Sequence, residues 1–476
     1  MSASRAANLP PRLSPLETIG GIGVGRARSK MILSLAWPVV LGMLTQTAVN
    51  LVDSAMVGHL PDRVAIPGQA ALNVAIVLFW AIGGFLSSIQ VGAQAIVARR
   101  YGEGEKLLAG RALANATTIA FTTAIVVSIA AYLIVPFVFG FFHKDPEVNR
   151  WGISYLQIRM IGLLSMVATQ GCKGFFDGIG RTYVHMVAAI IMNVINIFGN
   201  WLLIYGNLGF PRLEVDGAAI ASTISTYIGL FIILGWTFTA EIRKNYRPFR
   251  LGNFDLRVIW DIVRLSVPSG IATVAMMTGF LLFQKIVGDI DDSAGHGAIY
   301  GAATKVIIDI LSVTFMSCIA VGTATATLVG QSLGRGKPRR AELFGWDSVK
   351  LGFYLFGAFG LTIALWPGLF IQIFNPNPEI IAAASPPLRL MGSCGGLIAA
   401  GLILMQAMFG AGNAKFVMWV ELGLHFLVLV PLAWVFGVLL EGELLGMWMS
   451  GVVYVSLLVL VMGYTFYRGR WKTIRV

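Results

Sequence analysis

The sequence predicts an all-α integral membrane protein with twelve transmembrane helices in two pseudo-symmetric six-helix lobes. Three observations carry that reading: the composition, a charge pattern that alternates from loop to loop, and an internal repeat. Of 476 residues, 57% are hydrophobic and only 12% charged, with a mean hydropathy of +0.77. Soluble domains carry about 25% charged residues, so the chain lies well outside the globular range. The net charge of +12 is spread in short runs between apolar stretches, a pattern that marks membrane topology and argues against nucleic-acid binding.

A spanning helix needs about 20 mainly apolar residues. That window gives spans near 31–57, 66–98, 112–140, 152–175, 183–206, 216–239, 260–288, 297–330, 343–373, 381–408, 415–438 and 444–466. One set of loops is basic: Arg26–Lys30, Arg99–Arg111, Arg243–Arg250, Arg335–Arg340 and Arg468–Arg475. The other set is acidic or mixed, with Asp62, His143–Glu147, Glu214, Asp216, Asp289–Asp292, Glu441 and Glu443. The positive-inside rule makes the basic set cytoplasmic. Both termini then lie inside, which requires an even number of spans. Residues 1–30, with Pro10, Pro11, Pro15 and a glycine cluster, read as a disordered cytoplasmic tail without a cleavable signal. An N-lobe over 31–240, a cytoplasmic linker over 241–259, a C-lobe over 260–466 and a cytoplasmic tail over 467–476 complete the division.

The repeat rests on three pairs. Pro38 matches Pro268, Val91-Gly92 matches Val321-Gly322, and Gly178-Ile179-Gly180 matches Gly410-Ala411-Gly412, at offsets of 230 to 232 residues. Six spans per repeat leave both halves in one orientation, so an axis along the membrane normal relates them and a cavity between them is expected near the midplane. Pro38 and Pro268 remove a mid-helix donor and predict kinks; Pro38 is the candidate gating hinge.

Polar residues inside the spans are not scattered. Gln46, Asn50 and Asp53 share one face of the first span, and Asn193, Asn196 and Asn200 share one face of the fifth. Such stripes face each other or an internal cavity, although asparagine also serves as plain interhelical glue. An Asp at mid-span costs about 2.5–3.5 kcal/mol, and its own span offers no Lys or Arg. Lys305 and Asp309, one turn apart in the eighth span, read as an ion pair and a possible second site. Lys305 is taken as the only deeply placed base. Glu421 and His425, also one turn apart, read as a helix–helix contact with a proton relay as the sharper alternative. Lys173 and Arg181 read as interfacial anchors, and Asp289–Asp292 as a solvated loop. Cys172, Cys318 and Cys394 are few and scattered, which argues against a disulfide framework or a metal site.

Several stretches, taken together, resemble the multidrug and toxic compound extrusion (MATE) family. Trp37-Pro38 through Asp53-Ser54-Ala55-Met56-Val57-Gly58-His59 is similar to that family's first helix, and Gln94–Gly104 to the close of its second. Asn193–Gly206 is similar to the fifth helix and Asp216–Thr223 to the start of the sixth. The likeness runs over roughly 31–465. It implies two six-helix lobes set in a V around a central cavity. It also implies export of amphipathic, often cationic, compounds in exchange for protons or sodium. Carried over by position, it places a cation site on Gln46, Asp53, Tyr155, Asn196, Asn200 and Ser222. Many relatives carry an acid at the position of Asn200, and some carry acids where Met276 and Ile398 stand here.

The resulting expectation is a secondary-active antiporter. It is a monomer in a bacterial cytoplasmic membrane, with no cofactor beyond a coupling H+ or Na+ and no nucleic-acid partner. Two other functions remain in view. One is a lipid-linked oligosaccharide flippase of the same superfamily, which would line its cavity with several bases. The other is a membrane-embedded enzyme, for which the chain lacks a second acidic cluster; it also lacks a Walker A sequence. The chain is therefore expected not to be an enzyme.

Overall fold

The apolar windows become long helices because a backbone in hydrocarbon must satisfy its own polar groups. The computed structural model describes residues 23–142, 146–294 and 299–474. Its helices are α1 (Arg26–Gly58), α2 (Asp62–Ser87), α3 (Ile89–Gly102), α4 (Lys106–Phe142), α5 (Pro146–Gly178), α6 (Tyr183–Tyr205), α7 (Glu214–Thr237), α8 (Ala240–Asn245), α9 (Leu256–Ala294), α10 (Ile299–Gly334) and α11 (Pro338–Leu365). There follow α12 (Pro367–Phe374), α13 (Pro378–Ser393), α14 (Gly395–Gly410), α15 (Ala414–Gly423), α16 (Val430–Trp434) and α17 (Glu443–Arg468), with π-helical turns at Leu424–Leu429 and Val435–Leu439. Among the described residues eleven helices are long and apolar enough to cross a membrane, counting α2 with α3 and α15 through the second π turn as one each. The pair α13–α14, bent by 56°, makes a twelfth if it is one span. The protein is thus an all-α membrane protein with eleven to twelve spans. Most of the expected tail over 1–30, and His143 to Asp145, lie outside the described residues.

The repeat is visible in the turns. Gly104, Gly180, Gly336 and Gly412 all have positive φ, from 68° to 87°. They form two pairs at equivalent positions, each just beyond a helix end, where a left-handed residue closes the last turn and glycine adopts it without strain. The repeat is not perfect. The unbroken α5 corresponds to the broken pair α13–α14, where Gly392, Gly395 and Gly396 let the backbone approach α11. A Cβ on Gly360 would sit 2.3 Å from the Gly392 carbonyl oxygen.

The chain divides into two compact units, Leu41–Gly270 and Met1–Val40 with Ile271–Val476. The breaks fall inside α1 and α9, two residues beyond Pro38 and Pro268, rather than in the linker over 241–259 expected from sequence. The cause is packing. Ile32 and Ala36 are buried against Cys318, Val321, Ala324, Phe344 and Ile403, so the first turns of α1 join the C-terminal unit. Arg28 also pairs with Asp347 on α11. Both prolines are buried within helices that continue through them. In the N-terminal unit, α5 packs on α2, α3, α4 and α7, and α6 packs on α7. In the C-terminal unit, α14 packs on α10, α11 and α17.

Three sequence-based readings are corrected. Lys173 is no interfacial anchor: it is 3% exposed, with its ammonium 3.9 Å from Asp177. Asp289–Asp292 is not a loop but the end of α9, where the Asp291 carboxylate accepts from the backbone N–H groups of Tyr300 (2.9 Å) and Gly301 (2.7 Å). It caps α10, satisfying donors that a helix start leaves open. Lys305 is not deep: its side chain is 63% exposed. Arg181, beyond the end of α5, pairs with Glu241, and that guanidinium holds the Glu241 carboxyl below its ordinary value.

Close backbone approach makes one glycine decisive. A Cβ on Gly110 would lie 1.9 Å from the Tyr246 carbonyl oxygen, whereas one on Gly235 meets nothing within 4 Å. Gly110→Ala should lower stability by roughly 1–3 kcal/mol through overpacking, read as a lower melting temperature in detergent. Gly235→Ala should leave it unchanged or raise it.

Candidate functional site

The two polar stripes meet inside the N-terminal unit. Asn193, Asn196 and Asn200 are buried on α6, at 4%, 3% and 0% exposure. Their period of three and four residues brings all three to one face. Asn200 Nδ2 donates to Asp53 Oδ1 at 2.5 Å, and Ser222 Oγ on α7 lies 3.4 Å from Asp53 Oδ2. Gln46, Asp53, Tyr155, Asn193, Asn196 and Ser222 all line one cavity of about 70 Å³. Val49, Leu72, Ile76, Phe79, Trp80 and Met192 form much of its apolar wall. Asn50 cannot be placed with them, because its side chain lies outside the described residues.

The volume restricts the occupant. A water molecule needs about 10–15 Å³ on this kind of measure, whereas a drug-sized ligand fills about 300–1,000 Å³. The cavity therefore admits a few waters or a small ion and is too small for a large amphipathic compound.

Asn196 gives the site two internally consistent hydrogen-bond sets. One amide atom of Asn196 lies 2.9 Å from Asp53 Oδ1, and the other lies 3.0 Å from Ser222 Oγ. With nitrogen toward the carboxylate, Asn196 donates to an ionised Asp53 and its oxygen accepts from Ser222. With oxygen toward it, two oxygens stand 2.9 Å apart and need a proton between them. Protonated Asp53 supplies that proton, Asn196 Nδ2 then donates to Ser222 Oγ, and Ser222 completes the ring toward Oδ2. Which amide atom faces which partner is an assignment from chemistry: oxygen toward Asp53 requires the protonated acid, and nitrogen toward it suits the ionised one. Asn193 and the Asn200 side-chain oxygen have no hydrogen-bond partner among the described residues, which leaves them free to bind water or an ion.

The sequence reading missed Arg159. It stands one turn beyond Tyr155 on α5, lines the same cavity, and lays its guanidinium 4.3 Å from the centroid of the Phe79 ring. That is within cation–π range. Its buried Nη1 has no hydrogen-bond partner among the described residues. A signal was available, since an ionisable residue inside a span is functional by default. Lys305 and Asp309, by contrast, lie in the C-terminal unit. They bond each other at 2.6 Å and line no part of this cavity.

Comparison with known proteins follows the same division of the chain. The MatE family model matches residues 38–202 and again 268–435. The chain belongs to the MatE family. The two matches begin at Pro38 and Pro268, the prolines at which the internal repeat was recognised. The chain is 26% identical over 456 residues to the probable multidrug resistance protein NorM of Thermotoga maritima, covering 93% of each. It is 25% identical to the multidrug resistance protein PmpM of Pseudomonas aeruginosa, covering 82% of this chain and 76% of that protein. Its fold is similar to that of a MOP superfamily transporter from Pyrococcus furiosus, with a TM-score of 0.83 at 20% identity over 97% of this chain and 99% of that one. It is equally similar to an outward-facing multidrug resistance MATE transporter, with a TM-score of 0.82 at 19% identity, covering 97% and 100%.

Proposed function

We propose that this MatE-family chain is a multidrug exporter of the bacterial cytoplasmic membrane, working as a monomer with both termini inside. It expels amphipathic, mainly cationic, compounds by alternating access in exchange for protons. The observation that carries this reading is the Asp53–Asn196–Ser222 cluster, whose hydrogen bonds close into a ring around a protonated Asp53 and, with the Asn196 amide turned, leave Asn196 donating to an ionised one. Family membership and the names of the relatives supply the cargo class, and the basic loops supply the orientation.

Arg159 favours a proton over sodium. A sodium ion entering the cavity would be a second cation in a small space already facing a guanidinium, in surroundings that screen charge poorly. A proton neutralises Asp53 without adding an ion. A single guanidinium facing a carboxylate is also unlike the set of several bases that a pyrophosphate-bearing lipid would require, which weakens the flippase alternative. We assign the Lys305–Asp309 pair to structure, not coupling.

Two outcomes follow for proteoliposomes loaded with a fluorescent cationic dye. Asp53→Asn should insert and fold yet lose efflux driven by a pH gradient, whereas Asp309→Asn should keep it; full gradient-driven efflux by Asp53→Asn would remove Asp53 from the mechanism. Arg159→Gln should make efflux respond to a sodium gradient at fixed pH, a response absent from the unaltered protein. A sodium response in the unaltered protein would overturn the proton assignment.

Pro38 is the proposed hinge, standing two residues before α1 passes from one unit to the other. Pro38→Ala restores a backbone donor in mid-helix, and transport should slow about tenfold while dye binding in detergent is retained. Wild-type turnover in that variant would reduce the proline to a packing feature.

A further inference from the structure

The C-terminal unit contains a buried ionisable cluster that the N-terminal site does not use. Glu421 and His425, each 3% exposed, stand one turn apart at the junction of α15 with the first π turn. The Tyr454 hydroxyl, from α17, donates to Glu421 Oε2 at 3.1 Å. His425 Nδ1 lies 3.3 Å from the same oxygen and 2.9 Å from the Glu421 carbonyl oxygen. The carbonyl only accepts, so Nδ1 carries the hydrogen and Nε2 is the imidazole atom free to gain or lose a proton. Glu421 Oε1 is buried with no hydrogen-bond partner among the described residues. The Tyr454 and His425 rings stand edge to face, 4.8 Å apart.

Among the described residues the surroundings offer no compensating charge. From α9, Gly279 abuts the imidazole, and a Cβ there would lie 2.8 Å from His425 Cδ2. The nearest base along α9, Lys285, is engaged by Asp289 at 2.9 Å. From α17 the facing ionisable group is Tyr454, and α14 and α16 contain none. With a neutral imidazole and an ionised Glu421, the cluster would hold an uncompensated buried negative charge, which is strongly unfavourable. One proton, on Oε1 or on Nε2, makes it neutral; a second would make it cationic. The geometry therefore defines a one-proton site. It sits at a π-helical turn, a distortion frequent at functional sites.

We propose that Glu421, with His425 and Tyr454, carries a second transported proton, so that two protons enter for each molecule of cargo expelled. The proton is taken from external water to form an O–H bond on Glu421 or an N–H bond on His425. That bond breaks again toward the cytoplasm, and no other reactant is consumed. The proposal rests on Asp53 carrying the first proton. With a monovalent cationic cargo, each cycle moves one net positive charge inward, and exchange is electrogenic.

The test uses full-length protein in proteoliposomes with ethidium as cargo, equal pH on both sides, and a potassium–valinomycin potential. Two-for-one exchange raises the limiting ethidium gradient roughly fiftyfold per 100 mV; one-for-one exchange gives no response. The unaltered protein should respond. Glu421→Gln and His425→Asn should both lose the response and leave exchange that follows the pH gradient alone. Having both variants keeps the test valid if one fails to fold. Lys285→Gln, altering a surface pair, should respond like the unaltered protein. Electroneutral exchange by the unaltered protein, or a full potential response in Glu421→Gln, overturns the proposal. Asp53→Asn, run alongside, separates the two readings: gradient-driven exchange in that variant defeats the first site, whatever Glu421→Gln does.

Discussion

A carboxyl group placed in the middle of an apolar span must be given partners, and the N-terminal unit is arranged around that need. Asp53 sits among the amide of Asn200, the amide of Asn196 and the hydroxyl of Ser222, drawn from α6 and α7. The packing of α6 on α7 brings the Asn196 amide and the Ser222 hydroxyl together beside Asp53. The cluster is polar enough to tolerate the charged acid and symmetric enough in its donors and acceptors to tolerate the neutral one. A site built for permanent charge would need only donors. The Asn196 amide can present either a donor or an acceptor to Asp53.

The second constraint is covalent. α1 carries Asp53 in the N-terminal unit, while its first turns are buried against α10, α11 and α14 of the C-terminal unit. Ile32 and Ala36 hold those turns by apolar burial, and Arg28 adds a pair with Asp347. One helix therefore belongs to both units, with Pro38 close to the point of passage, and α9 repeats the arrangement at Pro268. The MatE family matches start at the same two prolines, so the passage points sit at matching places in the two repeats.

Much of this was legible in the sequence because the bilayer simplifies the code. Apolar length alone located the spans, and one pair that revealed the repeat, Gly178–Gly180 with Gly410–Gly412, ends in glycines that both have positive φ in the structure. Polar residues are rare enough inside spans that two stripes at helical spacing identified the Asp53 cluster. What escaped detection depends on packing. Arg159 is not apparent from the residues of the span that carries Asp53, because it stands on α5 and joins the same cavity only in three dimensions. Asp291 reads as one acid in a loop cluster until its helix cap is visible. Lys305 lies in an apolar window, yet its place early in α10 leaves it exposed. The unit boundaries are set by which core the first turns of α1 join, and no local pattern in residues 26–40 encodes that choice.

The central claim is that Asp53 exchanges a proton, and not sodium, with the cargo. Its most direct test is proton release from the purified protein in weakly buffered detergent, followed with a pH indicator. Adding a cationic dye should release protons from the unaltered protein and fewer, by one per molecule, from Asp53→Asn; adding sodium chloride at constant ionic strength should release none. Protons displaced by sodium, or equal release by the dye from both proteins, would contradict the account.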